Sequence, residues 1–174
     1  LIYYDNFDRK IPTMQAMIAA APTFGIWHPR LTLALVKQWL TMDSIDGTIN
    51  LDQPLPVIQF SNTLVLPKGF MINADYAFQG KGDSRIYHLM RPTNNLNASV
   101  RKAFLNNALT VEMFANDILD DQAAEMRMYS KAYSLKQWSK MSMRTYGVTL
   151  RYNFNTTQSK YKGTGAGKSQ KDRM

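Results

Sequence analysis

The chain has 174 residues, enough for one domain or for part of a larger one. Hydrophobic residues make up 45% and charged residues 20%, which excludes a wholly disordered chain, and no apolar run approaches the roughly 20 residues of a membrane-spanning helix. The lack of cysteine excludes disulfides and thiol chemistry, and half of the net charge of +8 lies after Phe154, a distribution that does not favour a nucleic-acid partner.

The main pattern is an alternation of apolar and polar residues with period two, which is typical of β-strands with one apolar face. In chain order it predicts strands at residues 13–21, 30–39, 57–66, 70–79, 95–105, 108–117 and 146–154, the first of them weaker. Residues 1–5 are a candidate for an eighth strand. Most of these segments have the roughly 9–11 residues of a tilted membrane-crossing strand, rather than the usual 5–6 of soluble sheets.

Short and long connections alternate between these strands. The short ones are residues 22–29, Pro67-Lys68-Gly69 and Asn106-Asn107, which contain residues suited to tight turns. The long ones are polar and cover residues 41–56, 80–94 and 118–142. Short turns therefore lie at one end of the sheet and long loops at the other, as in outer-membrane barrels with short periplasmic turns and long extracellular loops.

Charges and aromatic residues divide between the faces and ends of these strands. The polar faces carry Asp75, Arg101, Glu112 and Arg151, which we expect to form inward-facing ion pairs, whereas the apolar faces carry only Lys37 and Lys102, near strand ends. Two aromatic bands are predicted: Trp27, Phe70, Phe104, Tyr152 and Phe154 at the short-turn end, and Trp39, Tyr76, Phe78 and Trp138 toward the long-loop end. This pattern favours a membrane barrel over a soluble β-sandwich, because barrels carry aromatic girdles at both interfaces.

No motif indicates an enzyme or a cofactor site. The glycines before Lys168-Ser169 fail the spacing of a phosphate-binding P-loop, and too few residues follow them for its helix. His28 and His88 have no metal-ligand spacing, so we interpret them as bystanders. An acidic group in the third long loop could be a calcium site, although a solvated loop is the preferred interpretation; it consists of Asp117, Asp120 and Asp121.

The last strand and the tail, residues 146–154 and 159–167, resemble the C-terminal part of TonB-dependent-receptor-like outer-membrane β-barrel proteins of Gram-negative bacteria. The most specific match is the tail Lys-Tyr-Lys-Gly-Thr-Gly-Ala-Gly. Supporting matches are Lys37-Gln38-Trp39, Leu66-Pro67-Lys68-Gly69-Phe70, residues 104–110 and residues 115–118, so the resemblance runs from about Gly25 to Gly167. One departure is Asn62, a polar residue on the face assigned to lipid; the residues after Gly167 also differ from the family's usual ending.

The resemblance implies the terminal third of a barrel of about 22 strands, with residues 1–154 in the barrel and residues 155–174 forming a basic Gly/Ser/Lys-rich tail. The implied function is uptake of a siderophore, vitamin, saccharide or peptide across the outer membrane. Independently of the resemblance, binding residues commonly lie on loops of a rigid scaffold, so the aromatics of the third long loop, Trp138, Tyr129 and Tyr133, are candidates to stack on a substrate. The alternative is that they belong to an aromatic girdle or to a hairpin that extends the barrel wall. The implied partners are membrane lipid, the remaining strands, the N-terminal plug with its TonB system, and the assembly machinery. Gly147, Leu150, Tyr152 and Phe154 would form the outer-membrane assembly signal.

Two other interpretations remain open on the sequence. One is a complete eight-stranded outer-membrane barrel with a structural or adhesion role, for which the chain has the right size. The other is a soluble lipid- or protein-binding β-domain, in which the apolar faces would pack against each other. Because the sequence begins at Leu1, with neither an initiator methionine nor a signal peptide, we expect a mature form or a fragment.

Overall fold

The structure, a computed structural model, describes residues 10–154, so the predictions for residues 1–5 and for the tail 155–174 lie outside the described part. The described residues contain no helix of the length and hydrophobicity needed to cross a membrane. They form thirteen β-strands: β1 Thr13–Ala20, β2 Trp27–Gln38, β3 Leu40–Ser44, β4 Gly47–Leu51, β5 Leu55–Leu66, β6 Phe70–Gln79, β7 Gly82–Ser84, β8 Tyr87–Leu89, β9 Thr93–Phe104, β10 Leu109–Asn116, β11 Ala123–Tyr129, β12 Ser134–Lys140 and β13 Thr145–Tyr152.

The seven long strands form one antiparallel sheet, here called the wall sheet, in the order β1-β2-β5-β6-β9-β10-β13. Each strand pairs with the long strand that follows it in the chain, which is an up-and-down arrangement. This confirms the predicted all-β antiparallel fold. β6 has the predicted bounds, β2 begins three residues early at Trp27, and β13 ends at Tyr152, two residues before the predicted end. β1 and β13 do not pair with each other, so the sheet is open in the described part.

The strand register places apolar residues from all seven strands side by side on one face of the wall sheet. Leu33 lies opposite Ile18 and Ile58, and Met113 lies opposite Val100 and Val148. Since side chains alternate between faces, the intervening residues form a second, mainly polar face. The faces predicted from the alternation are therefore continuous across the whole sheet.

The apolar face of the wall sheet is exposed rather than packed against a second layer. Ile18, Met113, Val148 and Leu150 on this face have 61–73% of their surface accessible. The buried apolar residues of the described part lie elsewhere, at the long-loop end: Leu40, Leu51, Leu55 and Ala123. A soluble sandwich would bury the apolar faces against each other, so this arrangement disagrees with that interpretation.

The three long connections contain strands that the sequence pattern did not predict. β3 and β4 form a hairpin between β2 and β5. β7 and β8, from the second connection, pair with the β11–β12 hairpin of the third in the order β12-β11-β8-β7, here called the loop sheet. Because β7 and β8 have only three residues each, their own alternation is too short to recognise. The pairing of β8 with β11 joins segments about 40 residues apart.

The short turns have the backbone conformations that their residues suggested. Lys68 and Gly69 have φ of 62° and 77°, and a Cβ on Gly69 would lie 3.0 Å from the carbonyl oxygen of Ala103. Asn106 and Asn107 have φ of 52° and 71°. These left-handed conformations suit glycine and asparagine, so the sequence itself fixes where the wall strands turn.

Candidate functional site

The polar face of the wall sheet carries a hydrogen-bonded row of side chains across three strands. Thr63 Oγ1 donates to Asn73 Oδ1 at 3.0 Å, and Asn73 Nδ2 donates to Ser99 Oγ at 3.2 Å. In the register these three residues lie directly opposite one another on β5, β6 and β9. The face is thus an ordered polar surface with donors and acceptors, suited to line an interior or to bind a polar partner.

The four predicted ion-pairing residues lie on this polar face, but they do not pair. Glu112 is directly opposite Arg101 in the register, yet neither forms an ion pair within 4.0 Å with a described residue, and neither do Asp75 and Arg151. The expectation of mutual ion pairs is therefore wrong for this part of the chain. The physical reason is exposure: Asp75, Arg101 and Arg151 are accessible to solvent, which solvates each charge without a partner.

A cleft of about 360 Å³ opens on the polar face at the short-turn end. It lies between the turn after β1, which contributes Thr23, and strands β2 and β5, which contribute the polar residues His28, Arg30, Ser61 and Thr63. A guanidinium beside two hydroxyl groups can bind a carboxylate or phosphate group. His28 therefore lies beside the Arg30 guanidinium and the hydroxyl groups of Ser61 and Thr63, and not in a set of metal ligands.

Gln38, at the end of β2, joins the first and second long connections. Its Nε2 donates to the carbonyl oxygens of Leu51 at 3.2 Å and Arg85 at 2.7 Å, and its Oε1 accepts from the Arg85 N–H at 2.6 Å. Gln38 is only 4% exposed, so these bonds satisfy a buried amide that would otherwise destabilise the fold. No sequence signal marks it, because its partners are 13 and 47 residues away.

Asp83 strengthens the same junction from the loop sheet. Its Oδ2 accepts a hydrogen bond from the Gln53 N–H at 2.7 Å, and its Oδ1 lies 2.7 Å from Nδ1 of His88. Asp83 is 3% exposed, and His88 lies directly opposite it in the β7–β8 register. His88 thus has a structural role as the partner of a buried carboxylate, which the bystander interpretation, made against a metal-site role, did not include; the Asp83 to His88 spacing around a tight turn was the available signal.

The acidic group of the third connection does not converge on one point. Asp117 is 1% exposed and is bonded through Oδ2 to the Met143 N–H at 3.4 Å. Asp120 accepts hydrogen bonds from Lys140 at 2.8 Å and from Ser142, whereas Asp121 pairs with Arg91 and Asn94. No group of three or more His, Asp or Glu residues in the described part is arranged for a metal ion. The preferred interpretation of a solvated loop is wrong for Asp117, which is buried and whose Oδ1 has no hydrogen-bond partner among the described residues.

Ion pairs on the loop sheet lower the pKa of two carboxyl groups. The hydrogen bond from Lys140 is the main cause for Asp120, and the hydrogen bond from Lys136, at 2.6 Å, is the main cause for the lowered pKa of Glu125. A third pair, Arg127 with Asp46 at 3.1 Å, links the loop sheet to the β3–β4 hairpin. These contacts hold the long connections together as one platform, rather than as independent loops.

The loop aromatics belong to this platform. Trp138 and Tyr133 are 61% and 51% exposed, and Trp138 lies on the same sheet face as Arg127, Lys136 and Tyr129. The Arg127 guanidinium lies 5.4 Å from the Tyr129 ring centroid. Trp138 is thus part of the loop sheet and not of a girdle on the wall, which corrects its predicted position. Glu125 lies on the same face opposite Trp138 and pairs with Lys136, while Arg127 pairs with Asp46. The two aromatic rings on this partly exposed face form a surface suited to stack on a ligand.

Of the four residues predicted as an assembly signal, Gly147, Leu150 and Tyr152 lie in β13, whereas Phe154 lies beyond its end. Leu150 and Tyr152 share the apolar face, and Gly147 lies on the polar face opposite Phe114. A Cβ on Gly147 would lie 2.4 Å from Cζ of Phe114, so the glycine makes room for the ring. Phe154 is 85% exposed, and its ring packs edge-on against the Tyr152 ring, with 4.7 Å between the ring centroids.

Comparison with known proteins now identifies the architecture. A family model described as "Outer membrane protein beta-barrel family" matches residues 1–152, ending at the last residue of β13. The chain therefore belongs to this family of outer-membrane β-barrel proteins. Neither a curated protein nor a solved structure matches it.

Proposed function

We propose that this outer-membrane β-barrel chain is the C-terminal barrel part of a TonB-dependent-type receptor that takes up a scarce nutrient in a Gram-negative bacterium. The observation that carries the proposal is the platform formed by the loop sheet and the β3–β4 hairpin linked to it, with exposed Trp138 and Tyr133. Binding residues commonly lie on loops that a rigid scaffold positions. A siderophore, vitamin, saccharide or peptide offers groups that such aromatics can stack on.

In this proposal the apolar face of the wall sheet contacts lipid. The face is continuous over seven strands and is exposed. Exposure of so large an apolar surface to water would be unfavourable, which supports its contact with lipid. Aromatic residues border it at the short-turn end, among them Trp27, Phe70 and Phe104. The short turns then lie in the periplasm and the loop sheet lies outside the cell, as in other outer-membrane barrels.

The polar face then contacts the plug or the barrel interior. Asp75, Arg101 and Arg151 are exposed charges without an ion-pair partner among the described residues. Charged groups on a folded plug would complement them at close range. The TonB system would act through that plug, and the assembly machinery would recognise β13.

The open edges of the wall sheet support a larger barrel. β1 and β13 each have one neighbour in the described part, and an open sheet edge is not stable in a bilayer. We expect the remaining strands of the same receptor to cover both edges. A photo-crosslinker at Thr149 in the full-length protein tests this: a crosslinked peptide from N-terminal of Leu1 supports the receptor.

The rival function is a complete eight-stranded barrel with a structural or adhesion role. One observation favours it: the described wall has seven strands, one fewer than eight. In that case the same crosslinker at Thr149 would capture a peptide from residues 1–9. This outcome would exclude the receptor proposal.

Uptake by whole cells tests the binding surface. We expect the full-length protein to take up one member of a panel of ferric siderophores, cobalamin, oligosaccharides and peptides, and uptake to stop when the proton gradient is dissipated. Replacement of both Trp138 and Tyr133 by alanine should raise the half-saturation concentration at least tenfold. Leu135→Ala is the matched control, because Leu135 is 46% exposed on the opposite face of β12. Equal effects of the two changes would contradict the proposed surface.

Cysteine labelling tests the orientation. Ser84 in the loop sheet is exposed, so Ser84→Cys should react with a membrane-impermeant maleimide in intact cells. Lys68→Cys in a short turn should react only after the outer membrane is permeabilised. The reverse result would place the short turns outside the cell. Asp121, a second candidate position, is less suitable because its carboxylate is bonded to Arg91 and Asn94.

A further inference from the structure

Lys102 is a cation on the apolar face of the wall sheet, close to the short-turn end. It lies on β9, two residues before the last residue of that strand. In the register it is directly opposite Phe70 on β6 and Val111 on β10. Its neighbours along the strand on the same face are Val100 and Phe104, so all four adjacent positions are apolar.

The ammonium group of Lys102 lies against two aromatic rings. Its Nζ is 3.7 Å from the centroid of Phe70 and 5.3 Å from the centroid of Phe104. Both distances are within the range of a cation–π interaction. The rings therefore hold the charge at the short-turn border of the apolar face, here called the rim, and the lysine is only partly exposed.

No carboxylate of the described part neutralises this charge. None of the ion pairs includes Lys102, and none of the acidic residues of the seven wall strands lies on the apolar face. Glu112, next to Val111 in the chain, lies on the polar face opposite Arg101. A cation–π contact leaves the positive charge in place, so a group that binds Lys102 from outside must supply the anion.

We propose that Lys102, Phe70 and Phe104 form a binding site for the phosphate group of a glycerophospholipid in the inner leaflet of the outer membrane. The site rests on the proposed function, which makes the apolar face lipid-facing and the short turns periplasmic. At the depth of Lys102 in the membrane, the acyl chains contact the aromatic rings, while the phosphate lies within reach of a lysine that extends toward the interface. The anion that the site lacks in the protein is thus supplied by the lipid.

Two lipids could supply the phosphate, a phospholipid or lipopolysaccharide, and they occupy different leaflets of the outer membrane. Phospholipids occupy the inner leaflet, whereas the phosphates of lipopolysaccharide lie in the outer leaflet, at the loop-sheet end. Lys102 is about 7 Å along the strand from its short-turn end, a distance that a lysine side chain can nearly span. The site therefore faces phospholipid.

The test is the retention of lipids by the full-length protein, measured by native mass spectrometry from maltoside micelles. Phosphatidylglycerol is compared with digalactosyldiacylglycerol, which has similar acyl chains and no phosphate. We expect Lys102→Gln to retain about fivefold less phosphatidylglycerol than the wild type, and the same amount of the galactolipid. Lys102→Arg, which keeps the charge, should behave as the wild type. Lys131→Gln, at the tip of the β11–β12 hairpin, is the control for loss of one positive charge.

Three outcomes would overturn the site. Unchanged phosphatidylglycerol retention by Lys102→Gln would show that Lys102 binds no phosphate. An equal loss of both lipids would show that the change only disturbs the apolar rim. A dependence on Lys102 for lipid A, and not for phosphatidylglycerol, would assign the rim to the outer leaflet. If an arginine at Met113 disrupts the membrane-inserted protein while Lys102→Gln changes nothing, the lipid-facing assignment stands and this site alone fails.

Discussion

The indole nitrogen of Trp27 donates a hydrogen bond of 3.1 Å to the amide oxygen of Asn62. Both side chains lie on the apolar face of the wall sheet, Trp27 opposite Leu64 on β5 and Asn62 opposite Ala74 on β6. The bond satisfies the two polar groups within the protein, as a low-dielectric environment requires. Asn62, a departure from the apolar pattern, is thus one half of a pair at the aromatic rim.

Removal of one partner of this pair should cost more than removal of both. Trp27→Phe leaves the Asn62 oxygen without its donor, and we expect a loss of about 1–3 kcal/mol in the free energy of unfolding. The double change with Asn62→Leu should recover part of that loss, giving a coupling energy of about 0.5–3 kcal/mol. Urea unfolding of the full-length protein in liposomes measures all four variants. Additive effects would mean that the hydrogen bond contributes nothing.

Charge on the apolar face should destabilise the inserted protein. Leu33→Arg should cost roughly 2–4 kcal/mol, because Leu33 is central in β2 between Ile18 and Ile58. Val111 is opposite Lys102, near the short-turn end of β10, so Val111→Arg should cost less than Met113→Arg. Thr32→Arg on the polar face is the control and should cost much less. Equal tolerance in liposome folding would refute the assignment of faces.

A side chain at Gly147 should destabilise the strand pair, because the Phe114 ring would have to move. A methyl group at Gly147 would overlap the Phe114 ring, and we expect Gly147→Ala to cost about 1–3 kcal/mol. The same change in a Phe114→Ala background should cost clearly less, because the overlap is absent. Thr149→Ala, at the next position on the same face of β13, is the matched control. The heat-modifiable, folded fraction on gels provides the measurement.

Acid should loosen the loop sheet. Because the hydrogen bond from Lys136 lowers the folded-state pKa of Glu125 below its ordinary 4.5, the pair stabilises the sheet above that pH. The stabilisation should disappear as the pH falls below 4.5 and through the lowered pKa. Hydrogen exchange of the β11 and β12 amides at pH 6 and pH 3.5, corrected for intrinsic rates, measures it. Lys136→Met should reduce the difference; since the pair is accessible to solvent, the effect should be small.

The end of β13 should matter for assembly, and the tail should not. Tyr152→Ala with Phe154→Ala removes the aromatic pair at the short-turn rim, so we expect less protein to reach the outer membrane. Deletion of residues 159–174, in the Gly/Ser/Lys-rich tail that follows the last predicted strand, should leave insertion largely intact. Insertion of each variant is measured as the amount of heat-modifiable protein in outer-membrane fractions. Loss of insertion on tail deletion alone would move the end of the assembly signal beyond Phe154.

The sequence alone determined the wall sheet. Alternation with period two predicted seven strands and both faces, because a strand that separates two environments must place its side chains alternately in each. Pro67-Lys68-Gly69 and Asn106-Asn107 located two of the turns, since glycine and asparagine accept the left-handed backbone found there. These features are local, so a single segment of chain carries each signal.

Only the tertiary structure decided how the long connections fold. The loop sheet joins β8 to β11 across almost 40 residues, and its junction with the wall depends on the buried Gln38 and Asp83. The bonds between Gln38 and Arg85 and between Asp83 and Gln53 have no local sequence signal, because the partners are 47 and 30 residues apart and a polar side chain becomes a structural contact only when its partner satisfies it during burial. The same holds for Asn62, whose place on an apolar face is explained by Trp27, 35 residues away. Local periodicity fixes the strands, whereas long-range hydrogen bonds fix the surface that they carry.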